Sequence, residues 1–357
     1  MRKISKDRRV WLQRRQKAKS FDELFAVGVA KARPRFKRDT FVAPAYFSLS
    51  PKSTERSEAA VQFLAFLRTI RNYRGEAICI DMSRVQRMIV NATLLFKAEV
   101  AYLRQRGVKV SAVMPRKPRT YQVLTQTGLT KMLGLPDCSA IDREDTVHWR
   151  YAGGAWNLAQ PSRLQTLLGD TQEGNALLYT GMIESVANCI EHAYRAHPAR
   201  RGFGQNEDGW WGFQQLRDGV LSTCICDLGI GIARSLPLKL SEEPRLLKKL
   251  LSLFNHIRGK DVRSILAAIE YGRSSTGEIQ RGKGLRDAHR VIDDAGQGQL
   301  HIFSNRGMYY YARDPGKEPQ TLTRRLAESI EGTIYYWQYP IQSKTETGVP
   351  PVQGALI

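Results

Sequence analysis

The sequence predicts an α/β protein of two domains, and three observations predict it. From about residue 41 to 157, short apolar runs alternate with helix-length segments, the order of an α/β unit with a parallel strand pair. From about 158 to 345, a long helix is followed by glycine-rich turns and then strand-like runs, the order of helices packed on a mixed, largely antiparallel sheet. The 357 residues are 42% hydrophobic and 25% charged, which supports packed cores at the length of two domains. The expected boundaries are a basic arm and linker over 1–40, domains over 41–157 and 158–345, and a tail over 346–357.

The arm comes first. Lys plus Arg is 55 against 34 Asp plus Glu, a net charge of +21, and much of the excess precedes residue 39. Trp11 and Leu12 interrupt the early basic run, which suits a short amphipathic helix, and Pro34 breaks a second cluster. Residues 1–38 read either as an electrostatic arm for nucleic acid or as a solubilising, partner-binding tail, and charge alone does not choose. No apolar run approaches the ~18–20 residues that span a bilayer, so no membrane partner is expected. The first ten residues lack the apolar core of a secretory signal, and five sparse cysteines suit a reducing compartment, so a cytoplasmic location is expected.

In the first domain, Ser53 is placed to cap a helix over Arg56–Ile70. Ala77–Ile80 is a short strand, Ala92–Arg104 a helix stopped by Gly107, Val108–Met114 a strand closed by Pro115, and Thr120–Leu133 a helix ending at Gly134. Residues 140–157 form a transition.

In the second domain, Asn175–Tyr194 reads as one helix. Glu184, Asn188 and His192 recur on it at i, i+4 and i+8, so a carboxylate, an amide and an imidazole share one stripe, opposite Leu178, Met182 and Val186. Such a stripe is also what a solvated helix face looks like. The strand Gly219–Asp227 runs into Asp227-Leu-Gly229-Ile-Gly231-Ile232, an acid beside two glycines that let backbone approach a flat ligand; a plain turn has the same look. Helices are expected over Glu243–Ile257 and Val262–Tyr271. Arg281-Gly282-Lys283-Gly284 before a helix over Leu285–Ile292 offers backbone N–H groups and positive charge to phosphates. Leu300–Ser304, Gly307–Tyr311 and Gly332–Pro340 read as antiparallel strands. Cys224 and Cys226 share a strand face with no zinc-spaced second pair, which reads as core packing, and Trp210, Trp211 and Phe213 read as the packing of a hairpin.

Taken in order, these segments resemble the GHKL ATPase superfamily, which includes gyrase B, histidine kinases, MutL proteins and anti-sigma kinases. Glu184–Tyr194 resembles its N box, Asp227–Ile232 its first glycine box, Arg281–Leu285 its second, and Gly332-Thr333 with the strand to Pro340 its closing strand. Thr276 departs from the pattern, standing where many members carry Lys after paired serines, and the lid between the glycine boxes is long. The resemblance implies ATP and Mg²⁺ as ligands. It implies Asp227 as acceptor for the adenine amino group with Thr333 beside it, Gly229 and Gly231 as the passage along the nucleotide, and Asn188 as the Mg²⁺ ligand. Gly282, Lys283 and Gly284 would cover the phosphates, and Glu184 would orient or deprotonate the attacking nucleophile. His192 is read either as an aid to phosphate or metal contact or as a structural histidine.

The first domain has a similarity to STAS domains in Ile80–Val85, the following helix, the strand Val108–Met114 and Val123–Leu129. The stretch Met88-Ile-Val-Asn91-Ala-Thr93 lacks the serine that STAS proteins phosphorylate, so a degenerate interaction module is expected, and an unrelated small α/β domain fits too. The functional expectation is an ATP-binding regulator that hydrolyses ATP to switch a protein partner. The alternatives are an anti-sigma-type Ser/Thr kinase and a non-enzymatic, nucleotide-gated module that binds nucleic acid through the arm. A homodimer is left open.

Overall fold

A computed structural model describes residues 39–49, 54–139, 149–155, 176–194, 208–217, 219–274 and 283–340. The basic arm over 1–38 and the tail beyond Pro340 lie outside them. The architecture is α/β, and among the described residues no helix is long and apolar enough to cross a membrane.

The chain enters with β1 (Asp39–Val42) and β2 (Tyr46–Phe47), then α1 (Thr54–Arg71), β3 (Ala77–Asp81), β4 (Arg87–Met88), α2 (Val90–Gln105) and β5 (Lys109–Val113). β1, β3 and β5 form a parallel sheet, and β2 pairs in parallel with β4. The expected parallel pair is β3–β5. β1 begins within the expected linker, since its alternation is too short to read in sequence. The expected helix over Thr120–Leu133 is two, α3 (Pro118–Gln126) and α4 (Leu129–Met132), because Gly128 turns the backbone to φ +68° between them.

The remaining strands are β6 (Trp149–Ala155), β7 (Asp208–Arg217), β8 (Val220–Asp227), β9 (Gly298–Ser304), β10 (Gly307–Arg313), β11 (Gln320–Arg325) and β12 (Thr333–Pro340). They form one seven-stranded sheet in the order β11-β10-β9-β12-β8-β7-β6, and every pairing in it is antiparallel rather than mixed. β6 occupies the stretch expected as a transition. The polar edge strand β11 gave no apolar alternation to read.

The helices α5 (Ala176–Asn188), α6 (Ile232–Lys239), α7 (Pro244–Ser252), α8 (Lys260–Ser274) and α9 (Lys283–Ala295) complete the order. α6 was not expected: Pro237 lies inside it, and its sequence reads as loop. α5, α6, α8 and α9 bury Met182, Leu236, Ile265 and Ile292 in one core with Ile225, Ile302, Tyr335 and Trp337 of the sheet.

The other face of the large sheet is buried as well. Trp211, Phe213, Cys224, Cys226, Phe303, Ile334 and Tyr336 share one apolar core with Phe47, Phe63, Phe96 and Leu103. α2 lies between β5 on one side and β7 and β8 on the other. It is accordingly buried nearly all round, and its charged Lys97 and Glu99 are buried with it. Arg71 of α1 donates to Glu99 Oε1 from Nε at 2.9 Å and Nη2 at 2.6 Å, and to the carbonyls of Ser329 and Ile330 at 3.2 and 3.0 Å. The Lys97 ammonium sits 3.4 Å from the centre of the Tyr151 ring and donates to the Thr127 carbonyl. The cysteine pair and the aromatic hairpin are thus core, as expected.

Candidate functional site

The site grows from the end of β8. Asp227 is its last residue, fully inside, and faces Thr333, its register partner at the start of β12. Asp227 Oδ1 accepts the Gly229 N–H at 2.7 Å and the Thr333 N–H at 3.2 Å, while Oδ2 accepts the Cys189 thiol at 3.5 Å. Burial raises its carboxyl to about 6, against these donors, which favour the ionised form. The same burial, together with the charge of Asp227, pushes the Cys189 thiol well above its ordinary range.

Glycine makes this closeness feasible. A Cβ at Gly332 would stand 2.0 Å from the Asp227 carbonyl oxygen, and one at Gly229 would stand 2.4 Å from Ala193 Cβ. Gly231 has φ +76°, and a Cβ there would meet the Asn305 amide at 2.3 Å. The Asn305 amide donates to the Ile230 carbonyl at 3.0 Å, and Ser304 Oγ accepts the Ile232 N–H at 2.8 Å. The turn from Asp227 to Ile232 is therefore clamped by the β9–β10 turn.

On the opposite side stands α5. Its last turn is a wide π turn, Cys189–Ala193, where the sequence predicted a continuous α-helix to Tyr194. The Ala193 carbonyl, left without an intrahelical partner at the helix end, accepts the Ile230 N–H at 3.0 Å. Tyr194 accepts the Leu228 N–H at 2.9 Å and donates to the Gly209 carbonyl at 2.6 Å, tying the helix end to β7 and β8.

Between these elements opens a cleft of about 580 Å³ of empty space, part of it open solvent. Asn188, His192, Asp227, Gly231 and Thr333 line it, so five of the residues singled out in sequence meet there from segments up to 145 positions apart. The Asn188 amide nitrogen is buried and has no hydrogen-bond partner among the described residues, a donor left for something in the cleft. Gly229 lies behind the wall, against Ala193. Glu184 is half-buried one helical turn before Asn188 and does not line the cleft. Gly282 lies outside the described residues. Lys283 and Gly284 open α9, with their side chains undescribed.

Several further residues line the cleft that were not singled out in sequence, and Ser235, Leu236, Lys239, Ala268 and Tyr271 lie outside every motif. Ile232, Ser235, Leu236 and Lys239 line it from α6, and Ala268, Tyr271, Leu285 and Tyr335 complete its apolar wall. The α6 set falls at i, i+3, i+4 and i+7, so helical spacing was the available signal once a helix there is known. Lys239 Nζ lies 5.9 Å from the Tyr271 ring centre. Burial against the cleft lowers its pKa, opposed by the carboxylates of Glu191 and Glu184. The cleft can therefore hold a flat, largely apolar group with a hydrogen-bond donor at the Asp227 end. No protein-family model matches the chain, and no curated protein matches it.

Proposed function

We propose that this cleft binds ATP with Mg²⁺, and that the chain is a GHKL-type regulator which hydrolyses the nucleotide to switch a protein partner. The observation that carries the reading is the convergence of Asp227, Thr333, Gly231, Asn188 and His192 on one cleft with an acceptor-only carboxylate at its base. An apolar wall with a single buried acceptor suits a flat heterocycle bearing an amino group. Asn188 lines the cleft with an amide oxygen of the kind Mg²⁺ takes, the remaining ligands being phosphates and water, and its unpartnered amide nitrogen is a donor suited to a phosphate oxygen. When bound, Mg²⁺ supplies neutralisation of phosphate charge.

The chain's own residues then divide the work. Asp227 and Thr333 hold the base, and the Gly229–Gly231 turn keeps side chains out of its way. Glu184 takes a proton from the attacking water as the bond between the β–γ bridging oxygen and the γ-phosphorus breaks, giving ADP and phosphate. Glu184 stands outside the cleft wall, so in this reading the attacking water lies between the cleft and its carboxylate. The βαβ crossover β3–α2–β5 supports a STAS-like reading of 41–157 as the partner-facing part. Asn91 and Thr93 are buried, which speaks against a phosphorylation site there.

Calorimetric titration with Mg·ATP, followed by a phosphate-release assay, tests the proposal. Glu184→Gln is expected to bind ATP within about threefold of the wild type and to lose turnover at least 100-fold, whereas Asp227→Asn loses binding itself. An unmodified protein that binds neither ATP nor adenosine would refute the reading. Phosphate appearing on a co-incubated protein in place of free phosphate would reassign the reaction to a kinase.

A further inference from the structure

Among the described residues lining this cleft Lys239 is the one Lys or Arg, and no motif points to it. It ends α6 on the same helical face as Ile232, Ser235 and Leu236, all of which line the cleft. Seven residues of α-helix separate Ile232, beside the Asp227 turn, from Lys239, an axial rise of roughly 10 Å. The cleft is thus polarised along α6, with a carboxylate at one end and an ammonium at the other.

The side chain is exposed at the rim of the cleft, with its head near one aromatic ring. Its ammonium is 5.9 Å from the Tyr271 ring, and Tyr271 itself lines the cleft. Glu184 and Glu191, both from α5 and its π turn, lie within its electrostatic reach. Partial burial draws its pKa down, opposed by those two carboxylates, while the residue keeps enough exposure to reach an incoming anion.

Resting on the nucleotide reading above, we propose that Lys239 binds the terminal phosphate of the nucleotide, so that α6 supplies the anion-binding end of the cleft and sets its preference for triphosphate over nucleoside.

The test uses the full chain and three probes, Mg·ATP, Mg·ADP and adenosine, titrated by calorimetry against wild type, Lys239→Met and Lys239→Arg. Met keeps the stem and removes the charge; the Arg variant restores the charge. Lys239→Met is expected to weaken ATP at least tenfold and ADP less, with adenosine within twofold of wild type, and Lys239→Arg to recover most of the ATP loss. Wild-type ATP affinity should also fall with added salt more steeply than that of Lys239→Met. If wild type binds ATP and Lys239→Met binds it equally tightly, Lys239 has no such role while the nucleotide reading stands. If Lys239→Met weakens adenosine as much as ATP, its effect is on the cleft as a whole and the proposal fails. If wild type binds none of the three probes, both readings fall together.

Discussion

Asp227 meets two opposed demands. A ligand with an amino group needs it as a carboxylate, while its burial favours the neutral acid and holds its pKa near 6 in place of 3.8. Between about pH 4 and 6 the native chain keeps a proton that the unfolded chain has released. Stability therefore falls as pH rises through that window, by about 3 kcal/mol in all. Asp227→Asn removes the penalty while keeping an oxygen for the Gly229 and Thr333 N–H groups. In urea unfolding at pH 7.5 the variant is expected to be more stable than wild type by up to about 3 kcal/mol. The gain should shrink toward pH 4. A variant less stable than wild type at pH 7.5 would show that the hydrogen bonds to the carboxylate outweigh its desolvation. Wild-type affinity for ATP should fall as pH drops below about 6, where the carboxyl gains a proton and loses acceptor capacity.

At the scale of elements, α2 is the joint. Its Glu99 meets Arg71 of α1, and the same guanidinium holds the carbonyls of Ser329 and Ile330 just before Gly332 and Thr333. Asn305 takes up the chain from there: its carbonyl accepts the Ile330 N–H at 3.0 Å, and its N–H donates to the Gly332 carbonyl at 3.1 Å. One buried ion pair therefore fixes the strand start that carries Thr333. Glu99→Gln leaves Arg71 with the half-exposed Glu331 carboxylate, 3.5 Å from its Nη1, as its remaining counter-charge, and urea denaturation is expected to show a loss of about 3 kcal/mol, the low end for a broken buried pair. Arg71→Met combined with Glu99→Leu should recover most of it, because two apolar side chains leave no orphaned charge. A single-variant loss below about 1 kcal/mol would mean that water reaches the pair. The elements themselves were unevenly legible. α1, α2, β3, β5 and β8 followed their periodicity to within two residues. α6 did not, because Pro237 argues against a helix locally while Leu236 and Leu240 find a core only in the folded chain.

For the whole molecule, the decisive feature is that the seven-stranded sheet is covered on both faces. An antiparallel sheet commonly leaves one face to water. Here Trp211, Phe213, Phe303 and Tyr336 share one core with Phe47, Phe63 and Phe96, and α2 packs on β7 and β8. A chain lacking residues 39–139 is expected to expose that face, bind a hydrophobic dye and lose its near-ultraviolet circular dichroism. A cooperative, dye-free transition in the shorter chain would contradict a shared core. What the sequence determined by itself was local: the alternation of strands, the stripe bearing Glu184, Asn188 and His192, and the glycines around Asp227. These are written in residues a few positions apart, where period and backbone freedom are legible. Tertiary structure alone decided that Lys239 and Tyr271 join the cleft, that Glu184 stands outside its wall, and that α2 covers the far face of the sheet. Such meetings depend on which apolar surfaces exclude water together, and that choice belongs to the whole chain rather than to any stretch of it.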